Sequence, residues 1–183
     1  MEHDNVCINA KEKYVFEWDD LGDIKRGRAE LGEEVSVLVY RMMQCTMQNV
    51  LSEAYGLERA NEYFRRAGLL AGREFARHAL DLNVEFNSFI ADLQRLLEDL
   101  KIGILRTEFF DPETGNIVLT VGKDLDCSGL PNTNETVSNY DEGFISGILE
   151  VYTGLKYKVR EVDCGANGDN LCRFNGTVLT AES

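Results

Sequence analysis

No part of this chain approaches the run of about eighteen apolar residues that a membrane-spanning helix needs. Its first residues, MEHDNVCINAKEK, lack both the basic start and the apolar stretch of a secretory signal, so a cytoplasmic protein with no membrane partner is expected. Basic residues are in short supply. Lys and Arg number 19 against 32 Asp and Glu, a formal charge of −13, and this argues against nucleic acid or an anionic membrane surface as a direct partner, since either requires a basic face. Histidine occurs only at His3 and His78, and neither stands beside a cysteine. A glycine-rich GxGxxG loop and a nucleophile elbow are both absent from the sequence. These gaps weigh against catalysis, which needs an acid, a base or a cofactor cradle in place.

What is present points to a folded domain with an unusual C-terminal third. The chain has 183 residues, 44% hydrophobic and 28% charged, enough to bury one sizeable core. Residues 1–32 read as an N-terminal arm with a short aromatic strand at Tyr14 to Trp18, able to contact a second copy or to pack back on its own domain. Residues 33–183 read as the domain itself. Cysteines stand at positions 7, 45, 127, 164 and 172, an odd number that argues for metal or redox chemistry rather than a disulfide framework. Cys7 lies in a polar tail. Cys45 falls on the apolar stripe of a helix, where a free thiol behaves as a small hydrophobe.

The periodicity predicts helices over Glu33–Tyr55, Leu57–Leu80 and Asn83–Leu100. In the first, Val35, Leu38, Val39, Met42 and Cys45 share a face. In the second, Gly68 and Gly72 lie four apart, at a cost of about 1 kcal/mol each relative to alanine, which suggests close approach of another backbone, in preference to a ligand. The third carries Phe86, Phe89, Ile90, Leu93 and Leu97 at helical spacing, as core packing requires. Ile102–Phe110 and Asn116–Val121 alternate as strands around the turn DPETG. The connection that follows is long and acidic, with carboxylates at 124, 126, 135, 141 and 142, and it holds Cys127. Long connections of that kind in compact domains are usually functional or mobile.

Tyr140–Tyr152 is then predicted helical, and Lys156–Asp163 and Cys172–Leu179 are predicted strands flanking a turn, GANGDN, that sets Cys164 and Cys172 facing across a hairpin. The residues Tyr140, Asp141, Glu142, Gly143 and Phe144, then Gly147, Glu161, Cys164, Gly165, Gly168, Cys172 and Phe174 resemble the signature of the 4-vinyl reductase domain, a small-molecule-binding module. The resemblance covers about residues 33 to 179. It implies an α+β fold, an antiparallel sheet packed against helices as in the transport-particle (TRAPP) subunits, and commonly a dimer. It also implies kinship with sensory domains of transcription activators that respond to aromatics, where a similar motif binds zinc. Ser138 occupies a position where that family often has cysteine, and a serine hydroxyl is a poor zinc ligand.

The candidate metal ligands are Cys127, Cys164, Cys172 and Glu161. Three thiolates and a carboxylate meet zinc's demand for four tetrahedral ligands, although Glu161 and Cys164 share a side only if the strand bulges near Asp163. Three thiolates with an open position also suit an iron-sulfur cluster, and thiols that are simply packed are a third reading. Phe75, Phe144, Ile148 and Tyr152 are candidates for the wall of an apolar pocket. The expected function is a non-catalytic sensory domain that binds a small apolar or aromatic molecule and signals through a homodimer, an effector domain or a partner protein. The alternatives are an iron-sulfur or thiol redox sensor, or a reductase or accessory protein in tetrapyrrole metabolism.

Overall fold

The computed structural model describes residues 14–130, 138–164 and 171–179. Among the described residues the first α-helix is the short α1 (Ile24–Gly27), and the hydrophobic periodicity is then realised as α2 (Val37–Tyr55), α3 (Leu57–Ala79) and α4 (Phe86–Asp99). Strands β1 (Ile104–Phe110) and β2 (Ile117–Gly122) come next, followed by α5 (Asn139–Thr153), β3 (Tyr157–Cys164) and β4 (Leu171–Val178). The four strands pair antiparallel throughout in the order β1-β2-β4-β3. One buried core joins Phe89, Ile90, Leu93 and Leu97 of α4 and Ile148 and Leu149 of α5 to the inward side chains of the sheet, among them Leu119, Val159 and Phe174. The expected fold class, helices against an antiparallel sheet, is the one formed.

Helices α3 and α5 touch backbone to backbone. A Cβ built on Gly68 would lie 2.0 Å from the Tyr140 carbonyl oxygen, and one on Gly72 would lie 2.1 Å from that of Phe144. From the other side, Gly143 and Gly147 meet the carbonyls of Arg65 and Leu69 at 1.9 and 2.4 Å. The glycines at 143 and 147 therefore serve helix packing, and those at 68 and 72 admit another backbone as their spacing predicts.

That contact sets α5 along the exposed edge of β3. Glu142 Oε1 accepts a hydrogen bond from Glu161 N at 2.9 Å, Ser146 Oγ from Val159 N at 3.3 Å and Glu150 Oε1 from Tyr157 N at 3.4 Å. Side chains four residues apart on a helix thus satisfy alternate donors of a strand, where another strand would otherwise add. The glutamates are held in turn by α3, Glu142 by Arg65 at 3.5 Å and Glu150 by Arg73.

The N-terminal elements depart from expectation. Tyr14–Trp18 forms no strand, because Glu17 and Asp20 satisfy the local backbone donors and wind Trp18–Leu21 into a single 3-10 turn. Helix α1 follows, capped by Asp23. Trp18 stacks on His78 of α3 with ring centroids 5.0 Å apart, so His78 has a packing role. In α2, no residue is buried. The stripe of Leu38, Val39, Met42 and Cys45 faces solvent, and the polar side faces the body.

Candidate metal centre

Strand β2 ends at Gly122, and the chain turns at once. Asp124 Oδ1 accepts from the backbone N of Asp126 at 2.8 Å and of Cys127 at 3.0 Å, and Ser128 N donates to Asp124 O at 3.1 Å. This Asx-type turn tucks both Asp124 and Cys127 against β4. Cys172 on β4 is the register partner of Val121 on β2 and of Cys164 on β3, so three segments converge there. The side-chain ligand atoms of Asp124, Cys127 and Cys172 all lie within 4.8 Å of one another.

Cys127 and Cys172, anticipated as ligands, are brought together. Cys164 stands beside Cys172 in the ladder, and its side chain falls outside the described residues. The register shift required near Asp163 is present, between Glu161 and Asp163. Glu161 is buried, and its carboxylate accepts from Ser138 N and Ser138 Oγ, both at 3.2 Å. Ser138 is itself fully buried. The position where the family often has cysteine is therefore directed at Glu161. Asp124 is the residue that sequence reasoning missed. Its signal was the acid three residues before Cys127, and the closing turn was not legible in the acidic run.

The electrostatics are those of acids crowded together out of water. Burial, reinforced by neighbouring carboxyls, raises the pKa of Asp124, of Asp126 and, most strongly, of Asp141 at the start of α5. The Cys127 side chain and burial together push the Cys172 thiol far above its ordinary range. Asp141 Oδ2 is buried with no hydrogen-bond partner among the described residues. Two sulfurs and a carboxylate at this separation fit a divalent ion. Donors around tetrahedral zinc lie roughly 3.5 to 3.8 Å apart, given Zn–S near 2.3 Å and Zn–O near 2.1 Å.

Asp124 and Asp141 also form the polar end of a cavity otherwise walled by apolar side chains, with Ile90, Leu93, Val121 and Ile148 among them. Its volume is about 30 Å³. That is room for about two water molecules, and roughly a fifth of the ~150 Å³ that admits a benzene ring. Phe144 and Ile148, two of the expected wall residues, line it. Phe75 instead packs on Phe144 with ring centroids 5.2 Å apart, and Tyr152 stacks on Phe89 at 3.8 Å while donating to Val84 O at 2.9 Å. Both lie outside the lining.

Residues 117–178, from β2 through β4, match the family model of the 4-vinyl reductase domain. The match takes in Cys127, Cys172 and the whole of α5. Two uncharacterized proteins of Methanocaldococcus jannaschii are each 26% identical to this chain, over 56% and 79% of it. The chain spans 58% and 79% of their respective lengths. Among solved structures, the phenol-responsive sensory domain of the transcription activator PoxR, with phenol, superposes with a TM-score of 0.62 at 16% identity, covering 80% of this chain and 76% of that one. A trafficking protein particle complex subunit 3 from Naegleria fowleri, covalently bound to palmitic acid, gives 0.61 at 13% identity over 81% and 98%. A vinyl-4-reductase family protein from M. jannaschii gives 0.57 at 12% over 82% and 86%. The chain therefore shares its fold with all three.

Proposed function

We propose that this protein is a non-catalytic sensory domain in which a structural metal ion, zinc in preference, pins the 124–129 turn to the sheet beside an apolar ligand cavity. The observation that carries the reading is the position of Asp124, which belongs at once to the thiol pair Cys127 and Cys172 and to the cavity's polar end. Occupancy of one side bears on the other through a single carboxylate. Two sulfurs with an oxygen suit zinc better than an iron-sulfur cluster, whose ligands are chiefly thiolates. The resemblance to sensory domains and the phenol held by that of PoxR support a small apolar or aromatic molecule as the input. A ring-sized ligand requires the cavity walls to move apart. As in the expected arrangement, the signal passes through a homodimer or a partner protein.

Metal analysis with an absorption spectrum, on protein purified without oxygen, tests the first half. A colourless sample with one zinc per chain is expected, with Cys172→Ala and Asp124→Asn losing it and Cys45→Ala retaining it. Equal retention by all three variants rejects the site, and a brown, iron-containing sample replaces zinc with a cluster. The cavity is tested separately with xenon and with phenol as probes, followed by NMR shifts of the Ile90 and Ile148 methyl groups. Absence of any shift at these methyls from either probe rejects the ligand cavity.

A further inference from the structure

Although α2 buries no side chain, it is anchored firmly at one place. Tyr40 OH donates to Asp126 Oδ1 and Gln44 Nε2 to Asp126 Oδ2, both at 2.8 Å. Arg41 Nε donates to Leu125 O and Arg41 Nη2 to Ser128 O, also both at 2.8 Å. All four bonds end within residues 125–128, the turn whose Asp124 and Cys127 are candidate ligands. Among the described residues, the other side-chain hydrogen bond from α2 to the body is Gln48 Nε2 to Asn61 Oδ1, at 3.2 Å.

The opposite side of α2 is apolar and uncovered. Leu38, Met42, Met43 and Val50 are 73%, 58%, 61% and 59% exposed. From Met42 to Ser52 the sequence has no charged residue. Two copies of a chain with a formal charge of −13 repel each other, and an uncharged face is where they approach at least cost. Between Met42 and Ser52 a charged partner finds nothing to pair with, and Glu53 alone follows at the helix's end. The 19-residue helix is about 28 Å long, and two copies of it can meet across a two-fold axis, each presenting the same surface.

We propose that α2 is the element through which the metal centre governs self-association. A metal ion fixes the 124–129 turn, the turn seats α2 through Tyr40, Arg41 and Gln44, and the seated helix presents its uncharged face to α2 of a second copy. This rests on the metal reading above and extends it by naming the coupled surface. Coupling of this kind is reciprocal. Loosening Tyr40 and Gln44 therefore weakens metal binding, although neither touches the ion, by about the tenfold typical of residues that orient ligands.

The test compares full-length protein loaded with zinc and stripped by a chelator, using hydrogen exchange of the α2 amides and sedimentation velocity. Zinc is expected to slow exchange across residues 37–55 and to raise the dimer fraction. The double variant Tyr40→Phe with Gln44→Ala loses both effects and about tenfold in zinc affinity. Met43→Lys, on the exposed face, remains monomeric while keeping zinc's protection of α2. If zinc binds at one per chain and α2 exchange is unchanged, the coupling is wrong and the metal reading stands. If Met43→Lys dimerises normally, the surface is wrong. Failure to bind zinc at all sinks both.

Discussion

Asp141 occupies the first turn of α5, where a carboxylate ordinarily gains from the helix N-terminus. Burial and the carboxyls of Asp124 and Asp126 override that gain and favour the protonated acid. A folded-state pKa above the unfolded value of about 3.9 means that the folded chain holds the proton more tightly. The stability contributed is fully present below the unfolded pKa and is lost as pH rises through the folded one. Metal-free protein should therefore lose thermal stability as pH rises above about 4, and Asp141→Asn should flatten that decline. Denaturation midpoints of both proteins across the range decide it, and equal slopes would clear Asp141. If the proposed zinc site is real, zinc loading should reverse the trend, because the ion binds only deprotonated ligands and so stabilises more as pH rises.

Among the elements, those whose apolar residues meet the core were legible in the sequence to within a few residues. Phe89, Ile90, Leu93 and Leu97 announced α4 and its buried face, since packing and periodicity agree there. The same reasoning inverted α2. Its stripe is as regular, yet Tyr40, Arg41 and Gln44 find backbone and carboxylate partners in the 124–129 turn, and four hydrogen bonds to a long-range target leave no trace in local periodicity. Gly68 and Gly72 were readable as a demand for close approach, but not as to which backbone would come. With the Phe144 carbonyl oxygen 2.1 Å from a Cβ at position 72, Gly72→Ala must part α3 from α5 and should cost about 3 kcal/mol or more. Gly27→Ala meets nothing within 4 Å and should change stability by less than about 0.5 kcal/mol. Chemical denaturation of the two variants checks the contrast. Ser146→Ala, which strands the Val159 N–H beside buried neighbours, belongs between them at about 1 to 2 kcal/mol.

For the molecule as a whole, the formal charge of −13 acts against every assembly of identical copies. If the uncharged face of α2 is where two copies meet, their attraction comes from apolar burial, which salt does not screen. The opposing repulsion is spread over the whole surface, at distances comparable with the Debye length of about 10 Å at 0.1 M salt. Adding salt therefore removes the unfavourable part and leaves the favourable one. Self-association of the zinc-loaded protein should tighten severalfold between about 0.05 and 0.5 M sodium chloride, as read by sedimentation equilibrium. An interface built on ion pairs would show the reverse, because screening would then weaken the attraction itself. A dimer that loosens with salt would thus move the contact off α2 and onto the charged surface, whatever the metal content of the sample.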